Sequence, residues 1–209
     1  MRPSTLALAL ALALASPMAC DSTTSDPDVV TSNDVVEDTT DDTADTADPD
    51  VTGDGQVALG TPTEGDPFPA HSVKDCANAE VELKSWAAGF EIAYISYAAQ
   101  WCTACREEVP AINAMLAKYG DRVGITQLLL EANPGDPPSQ ALCSDWAGQL
   151  STNYTVTYDG DRAARDAMFG GAVGDTLPVQ LLIWNGEIVL RSLGGSVETV
   201  DSTIDALIN

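Results

Sequence analysis

Basic residues are scarce in this sequence. Its 209 residues include nine Lys or Arg against 32 Asp or Glu, a formal net charge of -23, and a single histidine. A surface of that sign repels phosphate backbones and anionic lipid headgroups, which excludes a nucleic-acid partner and direct electrostatic adsorption to a bilayer. One histidine and five cysteines without paired ligand spacing make a poor zinc pattern, so no metal site is expected. Long apolar runs are missing too. The run from Leu6 to Ala15 has ten residues, where a membrane-spanning helix needs about 20.

The charge is unevenly placed. From Asp21 to Asp66 there are fourteen Asp or Glu and no Lys or Arg, leaving eighteen acids and eight bases for residues 67–209. That stretch is Asp, Thr, Ser, Pro and Val with almost no large apolar side chains. It cannot bury enough surface to offset its ordering entropy, so residues 20–66 read as a disordered, self-repelling acidic tether. Within it, Asp48 to Gly55 looks like a calcium loop only in part. With Asp50 at the first position, Thr61 stands where the bidentate acid belongs, and plain linker is the expectation. Ahead of the tether, Arg2, the Leu/Ala run and Ser16-Pro17-Met18-Ala19-Cys20 form a secretory signal pattern over residues 1–19. Residues 67–209 suit one domain with one core.

Ala19-Cys20 resembles the junction of a bacterial lipoprotein signal, in which the cysteine is lipidated and becomes the first residue. Pro17 departs from the aliphatic residue usual there. The resemblance implies a lipid anchor at Cys20 and an extracytoplasmic place in the bacterial cell envelope, the periplasm. Simple secretion, with Cys20 free or removed, is the alternative. Lipidation also leaves four cysteines, an even number for an exported chain.

The remaining sequence reads as α/β. Ser72 to Leu83 gives two short extended segments around an Asp/Asn turn, and Glu91 to Tyr97 is an interior strand. A helix runs from Cys102 to about Tyr119, a strand from Val123 to Leu130, and a helix from Ser139 to Leu150. Tyr154 to Tyr158 is a short strand and Arg162 to Phe169 a small helix. Val179 to Trp184 and Glu187 to Leu193 flank Asn185-Gly186 as a hairpin, and Val197 to Ile208 is a final amphipathic helix.

Cys102 and Cys105 fall where the interior strand turns into a helix. At i and i+3 they share a face of the first turn, beside the unpaired amides of the helix start. Those amides stabilise negative charge, and only a thiolate attacks a disulfide, so this is an arrangement suited to thiol-disulfide exchange. Cys102, nearer the helix start, is the expected nucleophile. Cys105, one turn in, is expected to be more buried and to resolve the mixed disulfide by attacking Cys102.

The stretch Trp101-Cys102-Thr103-Ala104-Cys105-Arg106-Glu107-Glu108-Val109-Pro110 resembles the active site of the thioredoxin superfamily, most of all its extracytoplasmic TlpA/ResA-type branch. Pro110 stands where that family kinks its helix, Pro178 in Thr176-Leu177-Pro178 matches its cis-proline, and Gly194-Gly195 matches its groove-flanking glycines. The resemblance covers residues 67–209. It implies a thioredoxin-like fold: a central mixed sheet with helices on both faces and an N-terminal β-hairpin extension. It also implies that Leu177, Pro178 and Gly194 line a substrate groove, that Trp101 packs against incoming substrate, and that Glu108 serves as an acid in proton transfer. Two departures are visible. Thr103-Ala104 lacks the proline common between the cysteines, and Ser96 stands where thioredoxin has a buried acid.

Cys76 and Cys143 remain. In an oxidising compartment they are expected to form a structural disulfide, with two separate thiols, or a second redox or metal pair, as alternatives. His71 is expected to be exposed, and Trp146 and Trp184 to lie in the core. The function implied is a membrane-tethered thiol-disulfide oxidoreductase acting on protein disulfides, a reductant by analogy with its branch, with a membrane thiol electron donor as partner and no cofactor. A redoxin-type thiol peroxidase and a copper-binding chaperone using the same cysteines are the alternatives. Against the first, no Pro-x-x-x-Thr/Ser-x-x-Cys motif is present. For the second, His71 is the only available histidine.

Overall fold

The computed structural model describes residues 61–171, 173 and 176–209. Cys20, the signal pattern and the calcium-like stretch lie outside the described residues. Seven strands form one mixed sheet: β1 (Ser72–Asp75), β2 (Glu80–Glu82), β3 (Ile92–Ala99), β4 (Val123–Glu131), β5 (Thr155–Tyr158), β6 (Val179–Trp184) and β7 (Glu187–Leu193). Their order is β2-β1-β5-β4-β3-β6-β7. β3, β4 and β5 are parallel to one another, while the β1–β2 hairpin and the β6–β7 hairpin add antiparallel flanks. The N-terminal hairpin is thus continuous with the main sheet.

Strand alternation sorts side chains onto two covered faces. Ile92, Tyr94 and Ala98 of β3 join a core under α2 (Thr103–Glu107), α3 (Val109–Tyr119), α4 (Gln140–Leu150) and α6 (Val197–Ile208). Ala93, Ile95 and Tyr97 face the other way, toward α1 (Leu83–Ala87) and α5 (Ala163–Phe169). Both faces of β3 and β4 are buried along their whole length, which is why these strands are nearly continuous apolar runs.

Local chemistry sets the turns. Asp75 Oδ1 accepts from the amides of Ala77 and Ala79, and Asn78 takes the left-handed conformation that closes the β1–β2 turn. Glu82 caps α1, a helix that the sequence reading did not assign, by accepting from the Lys84 and Ser85 amides. The buried Asp159 carboxylate accepts from Ala164 and Arg165 at the start of α5. Asn185-Gly186 turns the β6–β7 hairpin, with positive φ at both residues. Residues ahead of β1 run along β7: Gly65 donates to the Ile188 carbonyl, Ile188 donates to the Asp66 carbonyl, and Glu64 accepts from the Arg191 amide.

Four expectations are corrected. The tether does not extend to Asp66, because residues 62–66 are held along β7 by backbone and Glu64 hydrogen bonds. The single helix from Cys102 to Tyr119 is two, α2 and α3, parted at Glu108, because Pro110 lacks an amide proton and its ring obstructs the preceding turn. His71 is buried, its ring edge-on to Phe68 and its Nδ1 3.0 Å from the Pro69 carbonyl; burial lowers its pKa. Trp184 is 38% exposed, since it ends β6 beside the hairpin turn; Trp146 is buried.

Candidate active site

β3 delivers the chain to Gln100 and Trp101, and Cys102 then caps α2. Its amide donates to the Ala99 carbonyl, and its sulfur accepts from the Cys105 amide at 3.1 Å. The Cys102 sulfur therefore occupies the N-cap acceptor position, where a thiolate gains most from the helix start. Cys102 and Cys105 are joined as a disulfide of S–S 2.04 Å. Cys105 is fully buried and Cys102 keeps 4% of its surface open. The difference is small, and it leaves Cys102 as the less enclosed of the two residues.

The approach to the cysteines is braced from two sides. Arg106 donates twice to the Gln100 carbonyl and lies over the Trp146 ring. The Trp101 indole donates to Glu131 at 3.1 Å, while more than a third of its surface stays exposed. Leu177 packs against the core cluster that contains both cysteines, and the Leu177-Pro178 peptide bond is cis. Gly194 ties this loop down, its amide donating to the Thr176 and Pro178 carbonyls at 2.9 and 2.8 Å. Its φ of +61° suits glycine, and a Cβ on the next residue, Gly195, would lie 1.9 Å from Ser192 Oγ. Leu193, just before these glycines, is 56% exposed.

Beneath α2 lies a polar row that the sequence reading did not assign. Ser96 of β3 pairs in register with Gln127 of β4 on one side and Gln180 of β6 on the other, and all three are buried. Gln127 donates to the Cys105 carbonyl and accepts from Trp146 and Tyr154. Gln180 donates to Glu108 Oε2 at 2.7 Å and to the Gly195 carbonyl at 3.3 Å, and it accepts from the Tyr94 hydroxyl. Among the described residues, the Ser96 hydroxyl has no hydrogen-bond partner. The row was visible only as glutamines inside the apolar runs Val123-Gly-Ile-Thr-Gln-Leu-Leu-Leu and Val179-Gln-Leu-Leu-Ile-Trp, a weak signal without the register.

Glu108 stands one turn after Cys105, at the break between α2 and α3, half-buried. Burial pushes its carboxyl up to about 7; the Gln180 hydrogen bond works against that rise and the Glu198 charge adds to it. A carboxyl at that value accepts and releases a proton near neutrality.

The second disulfide joins Cys76, after β1, to Cys143 on α4, 67 residues apart in sequence. Both sulfurs lie 3.5 Å from the Val156 carbonyl, and Cys143 is fully buried.

The architecture matches solved structures. The thioredoxin domain of a Bacteroides vulgatus thiol-disulfide oxidoreductase is 17% identical, with a TM-score of 0.57 over 70% of this chain and 99% of that one. A thiol:disulfide interchange protein from Bacteroides sp. is 16% identical, TM-score 0.57, over 70% and 91%. A Chlorobium tepidum protein assigned as the thiol:disulfide interchange protein DsbE is 23% identical, TM-score 0.54, over 70% and 96%. No protein-family model matches the sequence. These likenesses establish a thioredoxin-like fold, with a mixed sheet between two helical layers.

Proposed function

We propose that the chain is an extracytoplasmic thiol-disulfide oxidoreductase that exchanges disulfides with protein substrates through Cys102 and Cys105. The observation that carries the reading is the placement of the Cys102 sulfur as N-cap acceptor of α2, bonded to a buried Cys105 one turn on. Its structural neighbours are described as thiol-disulfide oxidoreductases and interchange proteins, which points the same way. In the reducing direction, the Cys102 thiolate attacks a substrate disulfide and expels one substrate sulfur. Cys105 then gives its proton to a base and attacks Cys102, closing the protein's disulfide and releasing the second substrate sulfur. Two electrons pass from the cysteine pair to the substrate. Glu108 is the base proposed for the second step.

Trp101, Leu177, Pro178, Gly194 and the exposed Leu193 offer an extended substrate segment apolar and backbone contacts beside Cys102. The wider proposal places the domain in the bacterial envelope, held from a lipid at Cys20 by the acidic stretch that ends where residues 62–66 pair with β7. There it acts as a reductant recharged by a membrane thiol donor. Among the described residues, no helix is long and apolar enough to cross a membrane. Nothing favours the copper reading, since His71 packs with Phe68 in the core of the opposite sheet face from the cysteines.

The deciding measurement is reduction of a test protein disulfide. Cys102→Ser is expected to fall to the uncatalysed background, and a wild-type rate in that variant would end the exchange reading. Cys105→Ala is expected to hold the mixed disulfide on Cys102, and mass spectrometry of the trapped adduct identifies the natural partner.

A further inference from the structure

Glu108 is held by one side chain. Among the described residues, Gln180 Nε2 is the hydrogen-bond donor to its carboxylate, at 2.7 Å. The orientation of the Gln180 amide follows from its other partners. Nε2 also faces the Gly195 carbonyl, which can only accept, so the nitrogen must lie on that side. The amide oxygen is then left for Tyr94, whose hydroxyl must donate to it. The amide is pinned at both ends, and one oxygen of Glu108 is engaged while the other stays available.

We propose that Gln180 is a positioning residue of the exchange reaction, holding the Glu108 carboxylate in place for proton transfer with the resolving Cys105. The inference rests on the exchange reading above. In the step concerned, the Cys105 thiol gives its proton to Glu108 and its sulfur bonds to Cys102. The bond from Cys102 to the substrate sulfur breaks, and the departing substrate thiolate takes a proton from Glu108 or from water. Two side chains from the same sheet row reach the same helix: Gln127 fixes the Cys105 carbonyl and Gln180 fixes Glu108, so resolving thiol and acid are registered against one scaffold. The Gly195 contact extends that scaffold to the loop beside the groove.

The titratable groups facing Glu108 are Tyr94 from β3, Tyr154 ahead of β5 and Glu198 in the first turn of α6. Burial keeps both tyrosines protonated, which leaves Glu198 as the charge acting on Glu108 in the oxidised chain, joined in the reduced chain by the Cys102 and Cys105 thiols. The Gln180 donor bonds more strongly to the ionised carboxylate than to the neutral acid, so removing it lets Glu108 hold its proton to higher pH.

The test uses the reduced full-length chain, with Gln180→Met keeping the length and apolar packing of the side chain while deleting the amide. Isotope-edited NMR of the Glu108 carboxyl and the pH dependence of mixed-disulfide resolution are both expected to move upward by about one pH unit, a tenfold change in the protonation equilibrium. Tyr94→Phe, which frees the other end of the amide, is expected to move both in the same direction by less. The pH dependence of Cys102 alkylation is expected to hold its midpoint, a result that general loosening of the site would not give. If Gln180→Met does not fold, Tyr94→Phe decides. Midpoints that stay at the wild-type pH in the folded variants overturn the inference while leaving exchange intact. A wild type that forms no mixed disulfide at all removes the exchange reading and this one together.

Discussion

The Cys102–Cys105 and Cys76–Cys143 disulfides are the same bond in opposite surroundings. One closes a single helical turn; the other links a hairpin to a helix across 67 residues. On chain-entropy grounds, the long link restricts the unfolded chain by about 4 kcal/mol and the short one by about 2 kcal/mol. The short bond constrains little and sits at a helix start with an acid one turn away; exposure does not set it apart, since Cys102 and Cys105 are both buried while Cys76 of the long bond is half-buried. The long bond has one end sealed in the core beside a strand carbonyl. A disulfide becomes reactive or structural through what its opening would cost and what would stabilise the resulting thiolate.

The largest expected effects test that division directly. Cys102→Ser should abolish exchange while lowering the free energy of unfolding by no more than about 2 kcal/mol, read by denaturant titration. Replacing Cys76 and Cys143 together by Ala should reverse the pattern, lowering stability by up to about 4 kcal/mol with exchange retained while the chain stays folded. Loss of exchange in a folded double variant would mean that electrons also pass through the second pair.

A smaller effect concerns pH. The Glu108 carboxyl, raised from an ordinary 4.5 to about 7, binds its proton more tightly in the folded chain than in the unfolded one. Between those values the folded state carries more protons, so the free energy of unfolding should fall as pH rises through that window. Glu108→Gln should flatten this segment and remove the inflection near pH 7 from the resolving rate, whereas the Cys76/Cys143 variant should keep both. The smallest shift is expected from Glu198→Gln. Removing that charge should lower the Glu108 midpoint by a few tenths of a pH unit at low ionic strength and by much less in high salt, measured by the same carboxyl NMR.

What could be read beforehand was local. A strand ending in Cys-x-x-Cys, the Asn185-Gly186 turn and the helix after Ser139 depend on neighbours within a few residues, and the structure places them where the pattern did. The sheet row could not be read that way. Gln127, Ser96 and Gln180 meet only once β4, β3 and β6 are aligned, and a one-residue slip would turn each side chain to the other face. At Ser96, where thioredoxin has an acid, two neutral amides flank the serine, and Glu108 is the acid proposed to act instead. The neighbours of His71 look like linker, while its burial depends on Phe68, three residues earlier and itself fully buried.

The strap of residues 62–66 along β7 has a consequence of another kind. β7 is a terminal strand of the sheet, and a bare terminal strand presents a ladder of unpaired amides and carbonyls that invites a second chain to add on. Gly65 and Asp66 occupy that ladder at Ile188, Glu64 takes the Arg191 amide, and Arg191 in turn donates to the Pro62 and Met168 carbonyls. The protein guards this flank with its own backbone. A chain begun at Pro67 would keep every residue of the cysteine site and lose the guard, so that self-association, rather than lost chemistry, would be the cost of trimming it.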